Sequence, residues 1–253
     1  MFKPLIQGMV ALICLSAADA ATIDTPEFTS VPNSTPPHYN LTTLGSQDWA
    51  LYSGDTGYLY SPEPSSRKLG GVSIAESVQV TAPCTLESAD RVSQTFSWLD
   101  GGPDLVGNEN DPRDNGFRHN NSTTAAYGDN SQTYTFMPGD TLPHTVHLYG
   151  YAANSNSGIS FRFSVSLAGA APQVLVISPP LGNFDFSVTF QADNPDDVLT
   201  VVWTFQKTGG TGTLKSMGIN AVAMSGTKPA SAVNWRVVAD DPAYPSTDVL
   251  VRG

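Results

Sequence analysis

GISFRFSVSLA, residues 158–168, decides the fold class. Ile159, Phe161, Phe163, Val165 and Leu167 alternate with Ser160, Arg162, Ser164 and Ser166. Successive side chains of an extended strand point to opposite faces, so this spacing predicts a strand with one apolar and one polar face. FDFSVTFQA (184–192) repeats the pattern with Phe184, Phe186, Val188 and Phe190 inward, and DVLTVVWTF (197–205) does so with Leu199, Val201, Trp203 and Phe205. HTVHLYGYAA, VSIAESVQV, QTFSW and SQTYTFM are further strand candidates. Turn formers separate them at Ser53-Gly54-Asp55, Asp100-Gly101-Gly102-Pro103, Pro138-Gly139-Asp140, Asn156-Ser157-Gly158, Asn194-Pro195-Asp196 and Gly209-Gly210. No stretch holds a helical period long enough to predict a helix. Short strands between Gly, Pro and Asx clusters predict an all-β sandwich or barrel, with Phe161, Phe163, Phe186 and Trp203 in its core.

The ends carry different signals. Lys3, the apolar run Leu5 to Leu15 and Ala18-Asp19-Ala20 read as a signal peptide over 1–20, cleaved between Ala20 and Ala21. That run is shorter than the roughly 20 residues a spanning helix needs. A lipoprotein signal acylated at Cys14 is the competing reading. Ala11-Leu12-Ile13 opposes it, because small residues are wanted before such a cysteine. The chain is therefore expected to be secreted, extracellular or periplasmic. Residues 21–39 hold four prolines among many Ser and Thr, which predicts an extended, unpaired leader. After cleavage Cys84 stands alone, so no internal disulfide is expected, and the thiol is read as a small buried apolar group. Residues 100–130 read as one long polar loop in which TTAAY supplies a short strand. In the tail, VNWRVV lies among Pro229, Pro242 and Pro245 and is read as an edge strand or as a carrier for Trp235 to pack.

The net charge of −11 excludes classes of partner. Nucleic acid and anionic lipid both require a basic surface. Neutral glycans do not. No segment is expected to insert into a membrane. The sequons at Asn33, Asn40, Asn120 and Asn121 matter only in a host that glycosylates exported chains.

Several residues have side chains suited to a site. Asp48-Trp49 has two readings. Trp49 anchors a core while Asp48 accepts turn amides or pairs with Arg67 or Lys68, or else Trp49 is an exposed platform for a sugar. Tyr58 with Tyr60, and Tyr149 with Tyr151, place paired rings on single strand faces. Such rings stack on pyranoses, with Arg162 as a hydrogen-bond donor nearby; cross-strand packing is the plainer use of them. Asn108, Asn110, Asp111, Asp114 and Asn115 in one loop, and Asp193, Asp196 and Asp197 in another, offer oxygens for a structural calcium. Asp111, Asp114 and Asn115 are the candidate ligands, although neither run has EF-hand spacing. No other cofactor is expected. His144 and His147, three apart on a strand, should face opposite ways. No nucleophile elbow, zinc helix or phosphate loop is present. Tyr149, His147 and Arg162 are of the types a jelly-roll polysaccharide lyase uses, but their spacing does not select them.

An ordered series of motifs adds to this reading. LTTLGSQDWALY, SSRKLGG, FSWLDGGP, YTFMPGDTLPHTVHLYGYAANSNSGISFRFSVSLA, VLTVVWTF and SMGINAVAMSG follow one another through residues 40–226. The series resembles a group of secreted bacterial galactose-binding-like jelly-roll modules. These carry Leu-Thr-x-x-Gly-x-x-Asp-Trp, Arg-Lys-x-Gly-Gly, Trp-x-Asp-Gly-x-Pro and a Pro-Ala-Asp-Thr turn before a Val-Tyr-x-Gly strand. This chain departs at Gly139, at Leu148-Tyr149-Gly150 and in the 100–130 insertion. The resemblance implies an antiparallel jelly-roll β-sandwich over 40–226, followed by a tail over 227–253. It also implies a carbohydrate-associated or cell-surface role and carries over no catalytic residue. The leading functional expectation is non-catalytic binding of a polysaccharide or surface glycan. The second is a structural or adhesive surface protein with a protein partner, which an exposed apolar patch would mark. A polysaccharide lyase or glycoside hydrolase is the third.

Overall fold

Alternation places large side chains on one face of each strand, and a computed structural model gives the way those faces meet. It describes residues 20–31, 37–52, 57–59, 63–81, 84–86, 94–104, 106–109, 117–120, 131–154, 159–177, 182–207 and 215–226. Along the chain these form β1 (Thr22–Ile23), β2 (Glu27–Val31), β3 (His38–Asn40), the short helix α1 (Leu41–Leu44), β4 (Asp48–Leu51), β5 (Gly57–Leu59) and β6 (Ser66–Lys68). Next come β7 (Gln79–Val80), β8 (Cys84–Leu86), β9 (Thr95–Trp98), β10 (Gly101–Gly102), β11 (Gly107–Glu109) and β12 (Phe117–Asn120). The long strands follow: β13 (Ser131–Phe136), β14 (His144–Asn154), β15 (Ile159–Ser166), β16 (Gln173–Ile177), β17 (Gly182–Gln191), β18 (Leu199–Lys207) and β19 (Lys215–Gly226).

Eight of these strands pair as one long hairpin rolled on itself. β4 pairs with β19, β13 with β18, β14 with β17 and β15 with β16, all antiparallel. The contacts β14–β19 and β15–β18 then knit two sheets, ordered β4-β19-β14-β17 and β13-β18-β15-β16. Two interlocked Greek keys of this kind are a jelly roll. The protein is thus an all-β fold whose two main sheets form an antiparallel jelly-roll β-sandwich, the architecture that the alternation predicts and the motif series implies.

The core lies between the sheets. Phe161, Phe163 and Val165 of β15 and Leu199, Val201 and Trp203 of β18 face Val146 and Leu148 of β14 and Phe184, Phe186 and Val188 of β17. Phe163 stacks on Phe186 across the gap, with ring centres 4.2 Å apart, and on Trp203 in the next strand at 5.6 Å. Burying each such ring contributes about 1.5–3 kcal/mol, and each favourable ring pair adds about 0.5–1.5 kcal/mol.

A second apolar cluster sits on the outer face of the larger sheet. A three-stranded layer, β11-β9-β3, and α1 lie over it. Leu41, Phe96 and Trp98 of this cap meet Trp49, Leu51, Tyr149, Ala221 and Ala223 of the sheet. Every residue of β4 is therefore buried, with Ala50 joining the inter-sheet core and Trp49 and Leu51 the cap cluster. Asn40 caps α1, its side-chain oxygen accepting the amide of Thr43 at 3.2 Å.

The structure departs from the sequence reading in four places. The stretch expected to be an unpaired leader is in part paired, since β1 and β2 both join β17. Ile23 and Phe28 point into the core from there. The stretch expected to be one long loop at 100–130 contains β10, β11 and β12, whereas TTAAY lies outside the described residues. VSIAESVQV forms only β7 and a single bridge at Ile74. β16, QVLVI, lies outside the strands that alternation predicts. Residues 1–19 and 227–253, and with them the cleavage site's upstream half and Trp235, also lie outside the described residues. Among the described residues no helix is long and apolar enough to cross a membrane.

Candidate functional site

Three of the sequence motifs meet around β4, with Asp48 on the face of that strand away from the cap. Its carboxylate is wholly buried and accepts the amides of Trp49 and Ile74, each at 2.8 Å, with Arg67 Nη2 at 3.8 Å. Arg67 also donates to the carbonyls of Gly71 at 3.0 Å and Ile74 at 3.2 Å. Burial pushes the Asp48 carboxyl above the ordinary range, opposed by the Ile74 amide and the Arg67 charge. A Cβ on Gly71 would lie 1.9 Å from Asp48 Oδ1, so the second glycine of RKLGG exists to admit the aspartate. One strand away, Asp100 accepts Thr42 Oγ1 at 2.7 Å, Trp49 Nε1 at 2.9 Å and the Lys68 ammonium. Partial burial raises its pKa, but the hydrogen bonds from Lys68, Thr42 and Trp49 outweigh that and hold it below the ordinary range. A Cβ on Gly107 would overlap the Trp98 ring at 1.9 Å. Asp48, on the Ala50 face of β4, thus fastens the 67–74 segment to that strand, and Asp100 forms the lock that fastens α1 of the cap to the sheet. Trp49 is an anchor within it, its ring 5.5 Å from that of Trp98, and offers no face to a sugar.

The other sequence candidates fall as follows. Tyr149 and Tyr151 are buried, which corrects their reading as exposed platforms: the cap covers Tyr149, and a covered ring cannot stack on a ligand. Tyr60 and the side chain of Tyr58 lie outside the described residues, as do Asn110, Asp111, Asp114, Asn115 and the side chain of Asn108. Asp197 spends its carboxylate within its own turn, accepting the amide of Asn194 at 3.0 Å. Among the described residues no three His, Cys, Asp or Glu side chains gather closely enough to hold a metal ion. Arg162 lies on the outer face of the five-stranded sheet, opposite Val176 and Thr204. His147 and Tyr149 lie on the outer face of the other sheet, so the Tyr/His/Arg set does not converge. His144 and His147 do face opposite ways: His144 is buried against Phe190 and bonded to Asp140 at 2.8 Å, and His147 is partly exposed.

What the outer face does bring together is a polar step at the edge of the cap. Its floor consists of rows across β14, β17 and β2: His147–Ser187–Glu27, then Tyr149–Asp185–Thr29. His147 Nδ1 lies 3.0 Å from Asp185 Oδ1, and the two side chains remain 22% and 24% exposed. A carboxylate only accepts, so Nδ1 donates and Nε2 of the neutral ring is left as an acceptor. The imidazole lies parallel to the Tyr149 ring at 5.7 Å, which fixes its plane. The wall of the step is β3 with β9. Tyr39 leans on Tyr149 at 4.3 Å, and exposed His38 bridges Thr95 Oγ1 and Ser97 Oγ, each at 2.9 Å. Burial, and after it the Asp185 charge, pushes the Tyr39 phenol up to about 12, so its hydroxyl stays a proton donor at neutral pH. Asp185 and Tyr39 were not among the sequence candidates. Asp185 was visible as the lone charge on the polar side of FDFSVTF, but the wall that makes it part of a step comes from residues about 90 to 150 positions earlier in the chain.

No protein-family model matches the sequence, and a search of the curated proteins finds no match. Among solved structures, the carbohydrate-binding module TmCBM61 in complex with β-1,4-galactotriose is similar over 44% of this chain and 70% of its own, at 8% identity and a TM-score of 0.33. The insecticidal delta-endotoxin Cry8Ea1 of Bacillus thuringiensis is similar over 67% of this chain and 30% of its own, at 10% identity and a TM-score of 0.27.

Proposed function

We propose that the chain is an exported, non-catalytic module that binds carbohydrate outside the cell or at its surface, with the step beside the cap as its binding face. The observation that carries this reading is the His147–Asp185 pair, held rigid on the Tyr149 ring and left partly open to solvent. Sugar hydroxyls both donate and accept, and a fixed carboxylate beside an imidazole acceptor and a protonated phenol matches a pair of neighbouring hydroxyls. The hydroxyl rows of Ser187 and Thr29 continue the same chemistry along the floor, and the acidic balance of the chain favours neutral glycans over acidic ones. Calorimetric titration against a panel of neutral polysaccharides tests it. Binding in the micromolar to millimolar range, weakened at least about tenfold by Asp185→Asn and by His147→Ala, is the expected result. Absence of binding at millimolar glycan, or binding indifferent to both substitutions, refutes the reading. A second reading, a surface module with a protein partner, is favoured by the exposure of Leu69, Leu99 and Val106 on one side of the cap.

A further inference from the structure

The step beside the cap carries two carboxylates and no basic residue to balance them. β14, β17 and β2, which make its floor, and β3 and β9, which make its wall, contain no lysine and no arginine. They do place Asp185 and Glu27 on the outer face. The partner of Asp185 is the His147 ring, which donates from Nδ1 while neutral and so leaves the carboxylate charge uncompensated. Glu27 is exposed, and among the described residues no ion pair or hydrogen bond engages its carboxylate. Glu27 lies opposite Ser187, two residues along β17 from Asp185. The two carboxylates therefore occupy diagonal positions on neighbouring strands, with Cα atoms about 7–8 Å apart.

The remaining groups of the step call for hydroxyls. Tyr149 is 1% exposed, and among the described residues its hydroxyl has no hydrogen-bond partner. Burial, and after it the charges of Asp185 and Tyr39, pushes that phenol well above its ordinary value, so it stays a proton donor beside the same carboxylate. Tyr39 is a second such donor. Each candidate ligand meets this set differently. An ammonium brings a positive charge and three donors to a carboxylate, and hydrogen bonds between ionised partners are roughly twice as strong as neutral ones. A hydroxyl in its place brings one donor and no charge, and an N-acetyl group removes the charge. A lysine side chain brings the charge but no oxygen for the phenols to donate to. A sugar ring that carries an amine among its hydroxyls supplies all of these at once, and a chain of such rings presents a second amine to Glu27. We propose that the step selects amino sugars, binding a chain of hexosamine rings with one free ammonium on Asp185, another on Glu27, and ring hydroxyls on His147 and the two phenols. This inference rests on the reading of the step as a carbohydrate site.

The test is calorimetric titration of the full-length exported chain with three β-1,4-linked hexasaccharides that differ only at C2, as the free amine, the N-acetyl form and the hydroxyl form. The amine form should bind at least about tenfold more tightly than either of the others. Asp185→Asn should bring that ratio close to one. Glu27→Gln, at a more exposed position, should lower it by about threefold, and added salt should lower it as well. Asp196→Asn removes the same charge from an exposed turn at the end of the sandwich and should leave the ratio unchanged. All three side chains reach solvent, so circular dichroism should report an unchanged fold. Equal affinity for the three forms overturns the inference and leaves the carbohydrate reading standing. Absence of binding by all three also overturns it, and the panel of neutral polysaccharides then decides the reading separately. Hexalysine binding as tightly as the amine form overturns it too, because charge alone would account for the preference.

Discussion

The inter-sheet core and the cap layer are both apolar, but they are held by different means. The core is built from strands whose inward residues are interchangeable in kind: Phe, Val, Leu and Trp in alternation, meeting ring to ring at 4.2–5.6 Å. Hydrophobic burial is non-directional, and the alternation decides which face is buried, while Asp48 fastens the margin of this core at Ile74. The cap is smaller and is keyed by polar contacts. One carboxylate, Asp100, binds Thr42 of α1, the Trp49 indole and Lys68, from segments up to 58 residues apart. The difference is one of scale. Three strands and a four-residue helix bury too little to fix their own orientation, so directional bonds do it.

That contrast can be broken first at the core. Trp203→Ala should cost about 3–5 kcal/mol, because Trp203 touches Phe161, Phe163 and Phe184 and the cavity left cannot collapse between two paired sheets. Denaturant titration should show one lowered transition for the whole domain. Asp48→Ala should cost less, about 2–3 kcal/mol, by leaving the amides of Trp49 and Ile74 buried without an acceptor. Its signature should be local. Amide exchange in β6 and at Ile74, which Asp48 holds against β4, should quicken relative to β15 and β18 in the middle of the core. Gly71→Ala should produce the same defect from the other side by pushing into the carboxylate. The double variant should then cost less than the two singles together. Equal exchange in both regions would mean that the 67–74 segment and the core open as one unit.

The same contrast explains what could be read from the sequence. Phe161, Phe163, Phe186 and Trp203 announce their burial through period two, and they are buried. β16 escaped because Val174, Leu175, Val176 and Ile177 are apolar on both faces, which leaves no alternation to detect. β1 and β2 escaped because they lie at the sheet's margin, where Ile23 and Phe28 are the only residues that reach the core and Pro26 falls between them. The pairing of Asp48 with Arg67 was legible as one of two alternatives, since both residues stand in recognisable motifs. The burial of Tyr149 was not. Parity along β14 places that ring on the outer face, and only the tertiary placement of β3, α1 and β9 turns the outer face into an interior one. The step at His147 and Asp185 was hidden for the same reason, being defined by where the cap stops.

The finest test of these contacts is their response to acid, because the carboxylates on the two faces of β4 are displaced in opposite directions from the ordinary value of 3.8. Asp48 is raised by burial, so between 3.8 and its own higher value the folded protein holds a proton the unfolded chain has released, and stability falls as pH rises through that interval. Asp100 is lowered by Lys68, Thr42 and Trp49, so below 3.8 the unfolded chain takes up a proton that the folded protein refuses, and stability falls as pH drops. Together they create a shallow maximum near the ordinary carboxylate value, superimposed on the acid response of the rest of the molecule. Asp48→Asn should remove the descending side and Asp100→Asn the ascending one. The Asp100 contribution should be about 1 kcal/mol or less, since that carboxylate is 31% exposed and water screens it. Urea midpoints measured from about pH 2 to 7 for both variants against the parent chain resolve the two slopes. If the midpoint of Asp48→Asn follows the parent above the ordinary carboxylate value, burial is not what governs Asp48. Arg67 would then be close enough in solution to hold it ionised.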